Sequence, residues 1–326
     1  MPMKVQAYAA TMQGVWFSQN QGINWSRLIT PTQGLYNEAR VWSLNTHNER
    51  PGELLAGTDQ GLYRYTQETG RFDYIPSPMD NLHILKIARD PRDPNTILCG
   101  TRPSEIFVST NDGESWVRSH FDSATECWFI NTPRVTSINF DPDEKDTIWV
   151  TVEIDGVFRS DDRGQTWKLL TTGLRDNDTH DLVFYNKGSK RTILVSTEDG
   201  IHKSINNGDS WQHLETPETP FVYFRSLVHR PDDSGFVIAS VGDRPSGETG
   251  MLLYSSNFGQ TWWRADVPEP VNSTIWSIAT NPANPLLIFA ATIFGQIFRS
   301  NDGGKSWKKM PRELGEIREI SWAPIP

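Results

Sequence analysis

The chain has 326 residues and a net charge of −9 at pH 7, with 31 Lys and Arg against 40 Asp and Glu. That balance excludes the basic face nucleic acid requires and gives no attraction to an anionic membrane. Two cysteines, Cys99 and Cys127, point to a reducing compartment, and no stretch reaches the roughly 18 apolar residues that span a bilayer.

The first residues, Met1-Pro2-Met3-Lys4-Val5, run straight into a strand. A secretory signal is therefore not expected, and a cytoplasmic location is. Lys4 to Ala10 reads as the second strand of a unit and Gly14 to Phe17 as the third. The phrase Ser-x-Asx-x-Gly-x-(Ser/Thr/Asn)-Trp follows at Ser18–Trp25 and returns at Ser109–Trp116, Ser160–Trp167, Ser204–Trp211, Ser255–Trp262 and Ser300–Trp307. A worn copy, Tyr65 to Phe72, sits in the one double gap, so seven units recur with a mean step of 47 residues. A period of this length built from short strands is that of a propeller blade.

Each unit repeats one plan. In the fourth, an apolar run (Val135 to Ile138) is followed by a Pro-bearing turn (Asp141-Pro142-Asp143) and a β-branched run (Thr147 to Val152). A tight turn at Asp155-Gly156 leads to a third strand, Val157 to Ser160, then the phrase, whose Trp opens a fourth strand. Period-two alternation bounded by Gly, Pro, Asp and Asn is the hairpin signal. In the phrase, the Asx side chain can accept backbone N–H groups and Gly tolerates positive φ. The Trp is expected to wedge between sheets. The tail, Ile317 to Pro324, matches the first strand of a unit and is expected to complete the N-terminal blade, removing open edges. Residues 1–326 are thus expected to form a single all-β domain, a seven-bladed β-propeller.

The phrase resembles the Asp-box, or bacterial neuraminidase repeat, found in sialidases, two-propeller xyloglucanases, sortilin-type receptors and a plastid photosystem II assembly factor. The resemblance covers nearly the whole chain and implies the propeller fold, with the box on the turn between third and fourth strands, away from the ligand face. It implies little about chemistry, which those relatives do not share. The Phe/Tyr-Arg-Ile-Pro phrase of sialidases is absent, and Arg40, Arg134 and Arg225 match an arginine triad only loosely. A standard sialidase is therefore not expected.

Aligning the units places Arg40, His83, Arg134, His180, Tyr223, Thr274 and Glu316 where the inner strands begin, with Arg225 as the alternative to Tyr223. Five of these seven positions are ionisable, and charged groups crowded together perturb one another's pKa, as at functional sites. The turns between second and third strands add Asp59, Arg102, Glu153, Asp155, Glu198, Asp243, Arg244 and Glu248. Two long loops stand out: His120 to Pro133, which carries Phe121, Trp128 and Phe129, and Val241 to Met251. Loops of that length in a compact repeat commonly carry function.

The expected activity is that of a hydrolase or lyase on a small polar, anionic, carbohydrate-like or aryl substrate in the central funnel. His83, His180, Glu153 and Glu316 are the candidate catalytic residues, by acid–base chemistry. Arg40, Arg134, Asp59, Tyr223, Arg225 and Trp128 are the candidate substrate-binding residues. The alternative is a non-catalytic binding or assembly propeller with a protein or peptide partner. No metal-ligand spacing is present among the seven histidines and no cofactor is assigned. Separate blades could still assemble a divalent site, for Ca²⁺ or Mg²⁺, from His83 and His180 with Glu153 or Glu316.

Overall fold

The computed structural model describes residues 3–325 apart from 30–33, 127–131, 188–189 and 218. Every described regular element is a β-strand, and the strands form seven four-stranded antiparallel sheets. The chain is a seven-bladed β-propeller. No helix among the described residues is long and apolar enough to cross a membrane.

Blade one holds β1 (Val5–Thr11), β2 (Gly14–Ser18) and β3 (Ser26–Arg27). Blade two holds β4 (Val41–Asn45), β5 (Glu53–Thr58), β6 (Leu62–Thr66) and β7 (Arg71–Ile75). Blade three holds β8 (His83–Asp90), β9 (Asp93–Arg102), β10 (Ile106–Ser109) and β11 (Val117–Arg118). Blade four holds β12 (Val135–Phe140), β13 (Ile148–Val152), β14 (Gly156–Ser160) and β15 (Lys168–Leu169). Blade five holds β16 (Thr179–Lys187), β17 (Lys190–Thr197), β18 (Gly200–Ser204) and β19 (Gln212–Leu214). Blade six holds β20 (Tyr223–His229), β21 (Val237–Gly242), β22 (Gly250–Ser255) and β23 (Trp263–Arg264). Blade seven holds β24 (Ile275–Ala279), β25 (Ile288–Thr292), β26 (Ile297–Ser300) and β27 (Lys308–Lys309). The last strand, β28 (Ile317–Pro324), pairs with β1 from Val5↔Pro324 to Thr11↔Ile317, so the C-terminal strand completes the N-terminal blade.

The recurring phrase forms the turn between the third and fourth strands. In the fourth blade, Ser160 donates to Asp162 Oδ1 at 2.7 Å and its Oγ accepts the N–H of Gly164 at 2.8 Å. Asp162 Oδ1 accepts the N–H of Thr166 at 2.9 Å. The same bonds recur at Ser18, Ser109, Ser204, Ser255 and Ser300. Two residues in a row, not only the glycine, are left-handed: Arg163 has φ +60° and Gly164 φ +85°. The worn copy keeps the position without the bonding pattern: β6 turns into β7 through Thr66 and Thr69, whose hydroxyls lie 2.7 Å apart, and Gly70 at φ +64°. Each Trp precedes its fourth strand rather than opening it, and Trp25, Trp211 and Trp307 are buried.

The chain clusters into two compact units. The first comprises Met1–Val150, Ser160–Trp167 and Gly315–Pro326, and the second Thr151–Arg159 and Lys168–Leu314. In each, the core lies between neighbouring sheets. In the first, Leu44, Leu54, Ala56 and Phe72 pack with Tyr8 and Val15. In the second, Leu194 and Ile201 pack with Val237, Leu253 and Trp262.

Candidate functional site

The positions aligned from sequence do fall where inner strands begin. His83 and Tyr223 open β8 and β20, and His180 is the second residue of β16. Arg40, Arg134, Thr274 and Glu316 each precede the first strand of their sheet.

In the first unit the candidates are organised by a residue the sequence reading passed over, Trp42. His83 stacks on its indole, with ring centroids 5.1 Å apart and planes at 15°. Arg318 lies over the same indole at 5.0 Å and is ion-paired to Glu316. Glu316 is therefore held by its own strand. Burial pushes the His83 imidazole below its ordinary range; Asp59 opposes that shift, and Arg102 and Arg40 add to it. Arg134 is half-buried and Arg40 exposed. At the other end of the strands, Arg89 is buried between Glu53 and Asp112, and Arg64 pairs with Asp112 at 2.9 Å. The open cleft beside this network, lined by Glu49, Arg50, Glu53, Gln67 and Glu68, contains none of the candidates.

The second unit holds the tighter constellation. Thr179 Oγ1 lies 2.8 Å from the carbonyl of Gly156 and 3.0 Å from that of Val152. This pins the start of β16 to the turn between β13 and β14, which carries Glu153. The turn is sharp, with Ile154 at φ +67°, and the Ile154 N–H reaches Asp178 Oδ1 at 3.3 Å. As a result Glu153, Asp178 and His180 converge, one ligand-capable atom of each lying within 4.8 Å of the others. His180 is 2% and Glu153 5% exposed, and the Asp178 side chain 13%. His180 Nδ1 lies 2.6 Å from the carbonyl oxygen of Phe224, which can only accept, so Nδ1 carries the proton. Its Nε2 faces Asp178 Oδ1 at 3.3 Å, an ion-pair distance without the alignment of a hydrogen bond.

Burial pushes the Asp178 carboxyl up, but His180, Arg225 and the Ile154 N–H outweigh it and hold the group below the usual carboxylate range. Glu198, whose N–H bonds to the Asp178 carbonyl at 3.0 Å, is driven the other way by burial and by the Asp178 and Asp176 charges. Tyr223 packs on His180 with centroids 4.7 Å apart. Arg225 Cζ lies over the Trp276 ring, 4.0 Å from its centroid, and both residues are buried. The two sequence candidates Glu153 and His180 are thus brought together, with Tyr223 against His180 and Arg225 close enough to Asp178 to lower its pKa.

Asp178 was missed. Its signal was the Asp-x-His spacing at the head of a strand, since residues two apart share a face. A search for longer metal and catalytic spacings passes over it. Trp128 lies outside the described residues, as does Cys127; Phe121 of the same loop packs edge-on against Trp167. Cys99 is a buried free thiol. The Val241–Met251 loop spends its side chains on itself: Asp243 accepts the Glu248 N–H at 3.0 Å, and Arg244 pairs with Glu248 at 2.7 Å.

Fold and cluster together define a class: a seven-bladed propeller that gathers ionisable side chains at the head of its inner strands. Residues 155–292 match the family model described as sortilin, neurotensin receptor 3. A probable oligoxyloglucan-reducing end-specific xyloglucanase of Neosartorya fischeri is 25% identical over 253 residues, covering 72% of this chain and 29% of that protein. The GH74 xyloglucanase from Xanthomonas campestris superposes with a TM-score of 0.63 at 21% identity, over 82% of this chain and 45% of that one. YCF48 bound to D1 peptide gives a TM-score of 0.56 at 13% identity, over 83% of this chain and 80% of that one. The chain therefore spans less than a third of the Neosartorya fischeri protein and less than half of the Xanthomonas campestris one, and the structural likenesses establish the fold.

Proposed function

We propose that the protein is a carbohydrate hydrolase whose chemistry resides in the Glu153–Asp178–His180 cluster. The observation that carries this reading is the convergence of three ionisable side chains from two blades within 4.8 Å, two of them buried. Desolvating such groups costs several kcal/mol per ion, roughly, and a site needed only for packing would use apolar residues. The sequence likeness to an oligoxyloglucan-specific enzyme supports a sugar substrate.

In this reading Asp178 is the member of the cluster a substrate reaches, and Glu153 and His180 position it from behind. Exposed Glu198, tied to Asp178 through its backbone, is the second carboxyl group at hand. A water oxygen bonds to the anomeric carbon as the glycosidic C–O bond breaks. The cluster takes the proton of the water and Glu198 gives one to the departing oxygen. Arg225, over the Trp276 ring, supplies a cationic group for a polar or anionic substituent.

The test is turnover of xyloglucan-derived oligosaccharides and chromogenic aryl glycosides by the purified chain. Asp178→Asn and Glu198→Gln should each lower kcat by about 10³-fold with KM changed only a few-fold. Absence of turnover across the panel overturns the reading and favours the non-catalytic alternative, which the likeness to peptide-bound YCF48 supports.

A further inference from the structure

We infer that Glu153, Asp178 and His180 are the ligand set of a divalent transition-metal ion, with Zn²⁺ the best match. The inference deepens the hydrolase reading, because an ion held here would activate the water, but its evidence is the geometry of the cluster alone.

His180 commits its only proton-bearing nitrogen in the neutral ring to Phe224, so Nε2 presents a lone pair. That nitrogen is wholly buried and has no aligned hydrogen-bond partner among the described residues. Facing it at 3.3 Å is Asp178 Oδ1, with a Glu153 oxygen inside the same 4.8 Å set. With Nε2 unprotonated these atoms are electron-rich, and an ion between them takes the place of the proton that otherwise joins Nε2 to Asp178. A tetrahedral ion with bonds of about 2.0–2.2 Å holds neighbouring ligand atoms about 3.3–3.6 Å apart, which is the His180–Asp178 separation.

The supporting contacts fit as well. The far nitrogen of a metal-bound imidazole usually donates to a carbonyl or carboxylate, as His180 does to Phe224. Asp178 Oδ1 is steadied by the Ile154 N–H. Asp176 and Glu198 add negative charge close by. One imidazole with two carboxylates suits Zn²⁺ better than Ca²⁺ or Mg²⁺, which favour oxygen alone. Three protein ligands leave a fourth position, and the partly exposed Asp178 gives it a route from solvent.

The experiment is calorimetric titration of the EDTA-stripped full chain with ZnCl₂, with stoichiometry checked by native mass spectrometry. One ion per chain should bind, the melting temperature should rise on loading, and Glu153→Gln or Asp178→Asn should weaken binding by about 100-fold or more. X-ray absorption on the zinc-loaded wild-type chain should show a mixed shell containing one imidazole, a readout that stands even if the variants fail to fold. Absence of stoichiometric binding, affinity unchanged in both variants, an oxygen-only shell, or preference for Ca²⁺ over Zn²⁺ overturns the inference. Tight zinc binding without glycoside turnover leaves it standing and removes the hydrolase reading; hydrolysis by the stripped chain that binds no zinc does the reverse.

Discussion

His180 donates its Nδ1–H to the Phe224 carbonyl at 2.6 Å, joining the inner strand of blade five to that of blade six. The ring is buried and its other nitrogen faces Asp178. Deleting it strands a buried carbonyl and takes the imidazole away from the partly exposed Asp178 carboxylate. His180→Ala should therefore cost about 2–4 kcal/mol in urea unfolding. His180→Asn, whose amide N–H can take the place of Nδ1–H, should cost less. Equal losses in the two variants would mean that the Phe224 bond is idle and that ring packing alone matters.

The recurring turn makes a second prediction. Ser160 Oγ accepts the buried Gly164 N–H, so Ser160→Ala should destabilise by about 1–3 kcal/mol. Gly304, in the same position of another blade, has φ +94°, and a Cβ there would come within 2.5 Å of Ile238 Cδ1, which is buried. Gly304→Ala should cost about 2–3 kcal/mol. The two sites lie in different blades and share no partner, so the double variant should show the sum within about 0.5 kcal/mol. Thermal and urea unfolding of the three variants checks both the magnitudes and the additivity.

The fold was legible because one turn is written six times, and its Ser, Asx and Gly each have a local job that survives without tertiary context. Blade two was the weak point: Tyr65 and Gln67 stand where the phrase has Ser and Asx, and only the spacing and Gly70 marked the turn. The candidate site was legible by position and not by partnership. Alignment of the repeats put Glu153 and His180 at the right ends of their strands, but a repeat carries no record of which neighbours touch. Asp178 entered the cluster through a strand-to-turn tether, Thr179 onto the Gly156 and Val152 carbonyls. Glu316 was withdrawn by Arg318, and His83 was stacked on Trp42. The tether and the stacking depend on packing between blades, to which the sequence pattern is blind, whereas the Glu316–Arg318 pair is made two residues away.

Blade one makes the third prediction. All seven residues of β1 pair with β28, and Ile320 and Trp322 of β28 are buried. Glu319 in the same strand accepts the Leu44 N–H at 2.9 Å and so ties blade one to blade two. Removing residues 317–326 leaves β1 as a bare edge beside an exposed core. The truncated chain should aggregate or melt far below the full-length chain in differential scanning fluorimetry and size-exclusion chromatography. A soluble product with an unchanged melting temperature would refute the role given to β28.

Acid should loosen the fold through His202. The ring is fully buried on β18, its Nε2 accepts the Arg175 N–H at 3.2 Å, and His213 packs edge-on against it at 5.1 Å. Burial first, then the His213 charge, lowers its pKa to about 4, with Asp199 opposing. The folded state thus holds the ring neutral where the unfolded chain, near 6.5, already takes a proton. Stability from this group is complete above about pH 6.5 and is lost as pH falls toward 4, by on the order of 3 kcal/mol in all and about 2 kcal/mol by pH 5. His202→Gln keeps an acceptor for Arg175 and removes the titration. Its unfolding free energy should fall less than that of the wild type between pH 7 and pH 5. Parallel pH profiles for the two proteins would show that His202 does not drive the acid sensitivity.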